Sequence, residues 1–279
     1  MALYVVATPI GNMEDITLRG VSTLKRVQAV IAEDTRSYRK LAVRLDIPAK
    51  PVFSLYKGNE SARVDHLIPK LKEGLEAALV SESGTPAVSD PGALLVRRCH
   101  ESGIRVIPVP GASAVAAILS VAGHFCDRVT FFGFLSKRNR IDDAARELSQ
   151  GAAVIFFDHP ARIFRSLEAF ADRGIPLRAV MGRELTKLHE EIVSGTLPDL
   201  IAALRGRALK GEIVVLLEPV RGPVSLPEEL ERQSQGEDLL RQFHKDNLSL
   251  SDSVKVAARQ TSLPRRRLYA QALKIWNRA

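Results

Sequence analysis

The stretch "SESGTPAVSDPG" (81–92) puts two glycines, two prolines, three serines and a threonine into twelve positions directly after the apolar run 77–80. Residues this small let a backbone come very close to a bound molecule, at a cost in chain entropy. Three more loops of similar character follow apolar runs: "ATPIGN" (7–12), "AEDTR" (32–36) and "PVPGASA" (108–114). Each alone reads equally well as turn chemistry. Together they sit where an open α/β sheet binds ligands, outside the carboxyl ends of its strands. The chemistry they suggest is capture of a small molecule on backbone groups.

Other chemistries lack their residues. No G-x-G-x-x-G follows a strand candidate, and no G-x-x-x-x-G-K-[ST] loop exists. His66, His100, His124, His159, His189 and His244 form no i, i+4 pair, and Cys99 and Cys126 fit no ligand spacing, so no metal site is expected. "GASAV" lacks the second glycine of a nucleophile elbow, which leaves Ser113 as a helix N-cap.

The elements that must hold these loops are legible as apolar runs. Strands are expected at 3–7, 29–32, 52–55, 77–81 and 105–109, with helical periodicity between them. Asp15 or Thr17 suits the cap of a helix reaching Val27, and Asn59 or Ser61 one reaching Gly74. That alternation predicts a mostly parallel sheet covered on both faces. A second set of strands is expected at 128–134, 152–158, 178–184 and 212–219, with helices near 140–149, 160–173 and 198–206. The expected organisation is an N-terminal α/β domain (1–123), a second α/β domain (124–222), a linker over 219–238 and a helical tail (239–279).

The tail carries the charge. Residues 241–279 hold nine basic and two acidic side chains, a net +7 in a chain whose total is +8. A localised basic module suits a polyanion, nucleic acid first. Ser251 is the expected cap of a helix over 252–260, and Pro264 the first residue of another that opens on Arg265, Arg266 and Arg267. Val254, Ala257 and Ala258 facing Leu268, Ala272 and Ile275 resembles a helix-turn-helix. No run is long and apolar enough for a membrane span, the start does not read as a signal peptide, and two cysteines suit a reduced, cytoplasmic protein.

The stretches "LYVVATPIGNMEDITLRG", "AEDTR", "SESGTPAVSDPG", "PVPGASA", "FFGF", "RELTKLHEE" and "KGEIVVLLEP", in this order over 3–219, resemble the tetrapyrrole-methylase superfamily, and within it the branch that acts on ribosomal RNA. The resemblance implies two α/β domains with S-adenosylmethionine in the cleft between them and 2′-O-methylation of a cytidine ribose in small-subunit (16S) ribosomal RNA, free or in the 30S subunit. Members are often homodimers. Two departures stand out: Lys57-Gly58 where the family commonly has histidines, and Glu82-Ser83 where Asp-Ala is frequent.

By that resemblance Ser83, Gly84 and Thr85 admit the donor's amino-acid and ribose parts, and Val88 makes an apolar contact. Pro9, Ile10, Ser113 and Ala114 line the same pocket, with Phe157 and Arg183 from the second domain. The ribose hydroxyl is a poor nucleophile, so the reaction needs alignment and help with its proton. Glu33, Asp34, Asp90 and Glu184 are candidate bases or orienters. Arg36 and Lys187 are placed to hold phosphate or hydroxyl groups, and Arg259 and Arg265–Arg267 to bind RNA. Two other readings stay open: methylation of a porphyrin-like small molecule, and a non-catalytic RNA-binding assembly protein.

Overall fold

The computed structural model describes residues 1–279 other than 125, 126, 136, 137, 221–225, 247, 262, 264 and 277–279; of 138, 139 and 226–233 it gives the backbone alone. Cys126 and Pro264 therefore lie outside the described residues.

Five short strands, β1 (Ala2–Val6), β2 (Ala29–Ala32), β3 (Val52–Ser54), β4 (Glu76–Val80) and β5 (Arg105–Val109), form one sheet in the order β3-β2-β4-β1-β5. Every pairing in it is parallel. Alternate residues point to opposite faces, and both faces are covered, which is why these runs are apolar throughout. Tyr4, Val6, Val30, Ala32, Ala78 and Val80 share one core with Leu24, Tyr38 and Leu41 of helices α1 (Leu18–Arg26) and α2 (Thr35–Arg44). Leu3, Ile31, Ala77 and Leu79 share the opposite core with α3 (Glu60–Lys72) and α4 (Ala93–Glu101). Pro108 is tolerated because β5 is an edge strand. Thr17 caps α1 by accepting from the Gly20 amide at 3.0 Å. Asn59 occupies the N-cap position of α3 but accepts instead from the Tyr56 amide at 2.8 Å.

The second sheet runs β6-β7-β10-β8-β9, from β6 (Val129–Phe134), β7 (Ala153–Asp158), β8 (Leu177–Arg183), β9 (Glu191–Thr196) and β10 (Ile213–Pro219). Only β6 and β7 pair in parallel; β10 lies between β7 and β8 and runs against both. β9 is antiparallel to β8 and had no counterpart among the expected strands. Half of "EIVSGT" faces solvent, so the segment lacks the apolar run that marks the others. Helices α6 (Arg138–Ser149), α7 (Ile163–Ala171) and α8 (Leu197–Leu204) cover one face through Phe156, Met181 and Val215. The other face, with Ile155, Val180, Val214 and Leu216, packs on Ile118 and Ala122 of α5 (Ala114–Ala122) and on Ile10 and Leu185. Residues 1–220 thus form one compact unit holding both sheets.

Residues 221–279 form a second unit of three helices, α9 (Leu226–Lys245), α10 (Leu250–Thr261) and α11 (Arg265–Trp276). The stretch expected as a linker, 219–238, is helical from Leu226 onward. Its Leu240 joins Val254, Ala257, Leu268 and Ala272 in one buried core, completing the expected contact between the last two helices. The cap of α10 is Ser249 and not Ser251: its Oγ accepts from the Asp252 amide at 3.1 Å and contacts Asp252 Oδ2 at 2.7 Å. No helix among the described residues is long and apolar enough to cross a membrane.

Candidate active site

Three of the small-residue loops are joined by hydrogen bonds. The Thr8 amide donates to Gly84 O at 2.9 Å and the Gly84 amide to Thr8 O at 3.1 Å, bridging the loops after β1 and β4. Thr85 Oγ1 donates to Ala112 O at 3.1 Å, which ties in the loop after β5. Gly84 has φ +78°, a conformation side chains rarely adopt, and a Cβ there would lie 3.2 Å from Ile10 Cγ2. Ala87 and Ser89 also have positive φ (65° and 68°), so the loop holds two further strained residues beside the cleft.

Two cavities open on this junction. The first, about 280 Å³, is walled by apolar groups, including Ile10, Val88, Phe134, Phe157 and Val214. Ser83, Gly84, Thr85, Ser113 and Ala114 line the same cavity. Ser113 stands at the N-cap of α5, yet its side chain makes no cap bond, and the first residues of that helix line the cavity. Uncapped amides at a helix start suit a carboxylate. The second cavity, about 530 Å³, is lined from the first sheet's side by Pro9, Glu33, Tyr38, Lys40 and Arg44, among others. Ile10, Ser83, Asp90 and Glu212 belong to both walls.

The four candidate carboxylates have distinct surroundings. Asp34 caps α2: its Oδ1 accepts from the Arg36 amide at 2.6 Å and the Ser37 amide at 3.2 Å, and these bonds hold its carboxyl below the usual range. Glu184 Oε1 accepts from the Glu212 amide at 2.8 Å and from Lys187 Nζ at 2.9 Å, and these bonds, the amide's first, keep it ionised against partial burial. Glu33 accepts from the Glu82 amide at 3.2 Å. Asp90 differs from all three. Burial, reinforced by the Glu33 charge and only partly offset by a hydrogen bond from Ser81, pushes its carboxyl up to about 7.

Two of the expected donor residues stand apart. Pro9 lines the second cavity, not the first. Arg183 lines neither, because its Nε donates to Glu191 at 2.9 Å and its Nη1 to Lys210 O at 3.3 Å. Lys187 lies on the second cavity's wall with its ammonium bonded to Glu184 and Glu212. Arg36 is exposed at the start of α2; Arg259 and Arg265–Arg267 are exposed on the C-terminal unit. The departure at Lys57-Gly58 lines neither cavity.

Glu212, Ile213 and Val214 were not anticipated. Glu212 immediately precedes β10 and Ile213 and Val214 open it, and the strand-end rule looks only at where strands finish. Because β10 runs against its neighbours, Ile213 pairs with Asp158 and Arg183, the last residues of β7 and β8. Its start therefore lies on the same edge as their ends. Tyr38, Lys40 and Arg44 were missed for another reason: their side chains reach the cavity from inside a helix, not from a loop.

Two α/β sheets thus frame a cleft built of small-residue strand-end loops. Residues 2–201 match the family Tetrapyrrole (Corrin/Porphyrin) Methylases, and residues 231–275 match the RsmI C-terminal HTH domain. The chain belongs to the tetrapyrrole (corrin/porphyrin) methylase family. It is 38% identical to Ribosomal RNA small subunit methyltransferase I of Synechocystis over 98% of both chains. With the protein of the same name from Leptospira biflexa it shares 42% identity over 77% of this chain and 90% of that one. Among solved structures, diphthine synthase (TM-score 0.61, 17% identity, 78% of this chain and 90% of that one) and the methyltransferase CobJ (0.58, 19%, 78% and 94%) share the fold.

The family's methyl donor is S-adenosylmethionine. The residues present fit it. The first cavity offers apolar walls for a purine, the start of α5 for a carboxylate, and close backbone approach at Gly84. Asp90 and Glu212 place acidic groups beside a cation.

Proposed function

We propose that the chain methylates the 2′-hydroxyl of a cytidine ribose in small-subunit (16S) ribosomal RNA, with Asp90 taking the proton. The carrying observation is Asp90's position on the shared wall of both cavities, with a carboxyl held near 7. Bound in the first cavity, S-adenosylmethionine supplies an electrophilic methyl on a cationic sulfur. A hydroxyl entering from the second cavity meets Asp90 at the boundary. With that methyl as the acceptor of the hydroxyl oxygen and the donor's sulfur as the leaving group, the Asp90 carboxylate would take up the hydroxyl proton. A base with a pKa near the working pH is suited to that transfer. Glu33 and Glu184 orient neighbouring groups, and Asp34 sets the direction of α2. Mapping ribose methylation in ribosomal RNA from cells with and without this chain tests the assignment; identical maps would end it.

The relatives' name and the basic C-terminal unit support RNA as the substrate. Positive charge is concentrated in α10 and α11, and Arg265, Arg266 and Arg267 are exposed at the start of α11. In this reading the tail (239–279) grips phosphates, which adds affinity but reads little sequence. Replacing all three arginines by alanine should weaken binding to 30S subunits and lower its salt slope by about 2, at roughly 0.7 per contact on single strands. Donor affinity and melting temperature should hold. Truncation is best made after residue 220, because a cut at 239 would divide α9. An unchanged salt slope in the triple variant would remove the phosphate role. The homodimer implied by the resemblance and the cytoplasmic location expected from the cysteine usage belong to the same reading, and light scattering checks the first.

A further inference from the structure

The loop that carries Asp90 is tied at both ends. At its start the paired backbone bonds between Thr8 and Gly84 fix it to the loop after β1. At its end the tie is a side chain from another element. Glu60, the first residue of α3, accepts through Oε1 from the Gly92 amide at 2.9 Å and from the Leu94 amide at 3.2 Å. Leu94 lies in the first turn of α4, whose N-cap, Gly92, has no side chain to satisfy its amides. A carboxylate there also suits the positive end of the helix. Between the two ties the backbone is strained. Ala87 and Ser89 have positive φ, and Gly92 sits at φ +120°, where an added Cβ would lie 2.7 Å from Leu79 Cδ2. Such a segment keeps its shape only when its surroundings over-determine it.

Glu60 is itself placed by the turn that precedes α3. Asn59 Oδ1 accepts from the Tyr56 amide, and its Nδ2 donates to Ser54 O at 3.4 Å, which folds "YKGNE" back on the end of β3. A Cβ at Gly58 would lie 2.9 Å from Tyr56 Cε2, so a small residue is needed beside that ring. The stretch "SLYKGNE" lines neither cavity, yet its last residue holds the loop that lines both.

We propose that Glu60 is a positioning residue for methyl transfer: by anchoring the Gly92 and Leu94 amides it fixes the end of the loop and holds the Asp90 carboxyl on the wall shared by the two cavities. Gly92 is two residues from Asp90, so a shift at the anchor passes directly to the carboxyl. Glu60 acts through the backbone alone. The inference rests on the reading of Asp90 as the base.

Glu60→Ala removes the acceptor, and Glu60→Gln removes the charge while keeping an acceptor oxygen. With 30S subunits from cells lacking the modification as substrate, Glu60→Ala should lower kcat roughly 10- to 100-fold, the scale of a misplaced reacting group. Donor affinity by calorimetry should stay near wild type, because the Gly84 end keeps its bonds to Thr8. The acid limb of kcat/KM should move below pH 7, since burial is the first cause of Asp90's raised value and a loosened loop admits water. Glu33, Glu82 and Glu212 face Asp90 from the loops after β2 and β4 and from the residue before β10, and Lys187 is bonded to Glu212. Both variants retain all four, so a moved limb reports the placement of Asp90. Glu60→Gln should restore most of kcat and a limb near 7. Glu60→Asp keeps the charge but shortens the reach by one methylene; it should also lose kcat, and it carries the test if the alanine variant does not fold. A merely structural Glu60 gives a lower melting temperature with wild-type kcat and acid limb in the folded variants, and that result would overturn the positioning role. Wild-type turnover in Asp90→Asn would overturn the base and this inference together.

Discussion

Asp90→Asn should lower kcat by roughly 10²- to 10⁴-fold, the usual contribution of a positioned base. The amide keeps the size and most hydrogen bonds of the carboxyl, so the loop after β4 should retain its shape. The wild-type profile of kcat/KM should fall tenfold per pH unit below about pH 7, because the working form is the ionised carboxylate and its value is raised to about 7 by burial and Glu33. The variant's residual activity should lack that limb. The same shift has a sign for stability. Asp90 stays protonated in the fold up to about 7 while the unfolded chain ionises from 3.8, so wild-type stability falls from this group as pH rises through that interval. Melting curves of Asp90→Asn should lack this part of the decline. If calorimetry shows donor affinity falling in step with turnover, Asp90 serves the donor's positive charge, and the proton goes elsewhere.

Gly84→Val should abolish binding of S-adenosylmethionine. The new Cβ meets Ile10 Cγ2 at 3.2 Å, on two residues that both line the donor cavity, and the branched side chain adds bulk beside it. The φ of +78° adds strain of about 1–3 kcal/mol for a residue other than glycine. That strain alone would lower the melting temperature without touching the donor. Gly174→Ala separates the two effects: its φ is +68° and nothing lies within 4 Å of the added Cβ, so it carries strain without obstruction. The control should melt lower and bind the donor normally, and Gly84→Val should melt lower and bind none. Calorimetric titration giving the Gly84 variant wild-type affinity would refute the donor assignment.

Much of this arrangement is written in the residues themselves. The all-parallel sheet was legible because a strand covered on both faces must be apolar at every position, as 29–32 and 77–80 are. The donor loops were legible because close backbone approach and positive φ need small residues, and "SESGTP" supplies them. The basic face of α11 was legible because "RRR" has no acidic neighbour. In contrast, 219–238 was misread because its prolines and polar residues resemble a linker. A proline in the first turn starts a helix as readily as it ends one, and the buried contacts of Leu240 decide between them.

What the tertiary structure alone decided is which groups meet. The direction of β10 cannot be read from "EIVVLLEP", since an apolar run is the same in either sense. Only its insertion between β7 and β8 brings Glu212 to the edge where Asp90 stands. Asp90 itself reads as one more loop carboxylate. Its elevated value comes from burial and from Glu33, which is 57 positions away in the chain and belongs to another strand's loop. Asp34 adjoins Glu33, yet it is turned into the α2 cap. Tyr38 looks like an ordinary core aromatic on an amphipathic helix. Hydrophobic periodicity records that its ring is buried, and only the packing around the ring shows that the hydroxyl at its tip is left without a partner.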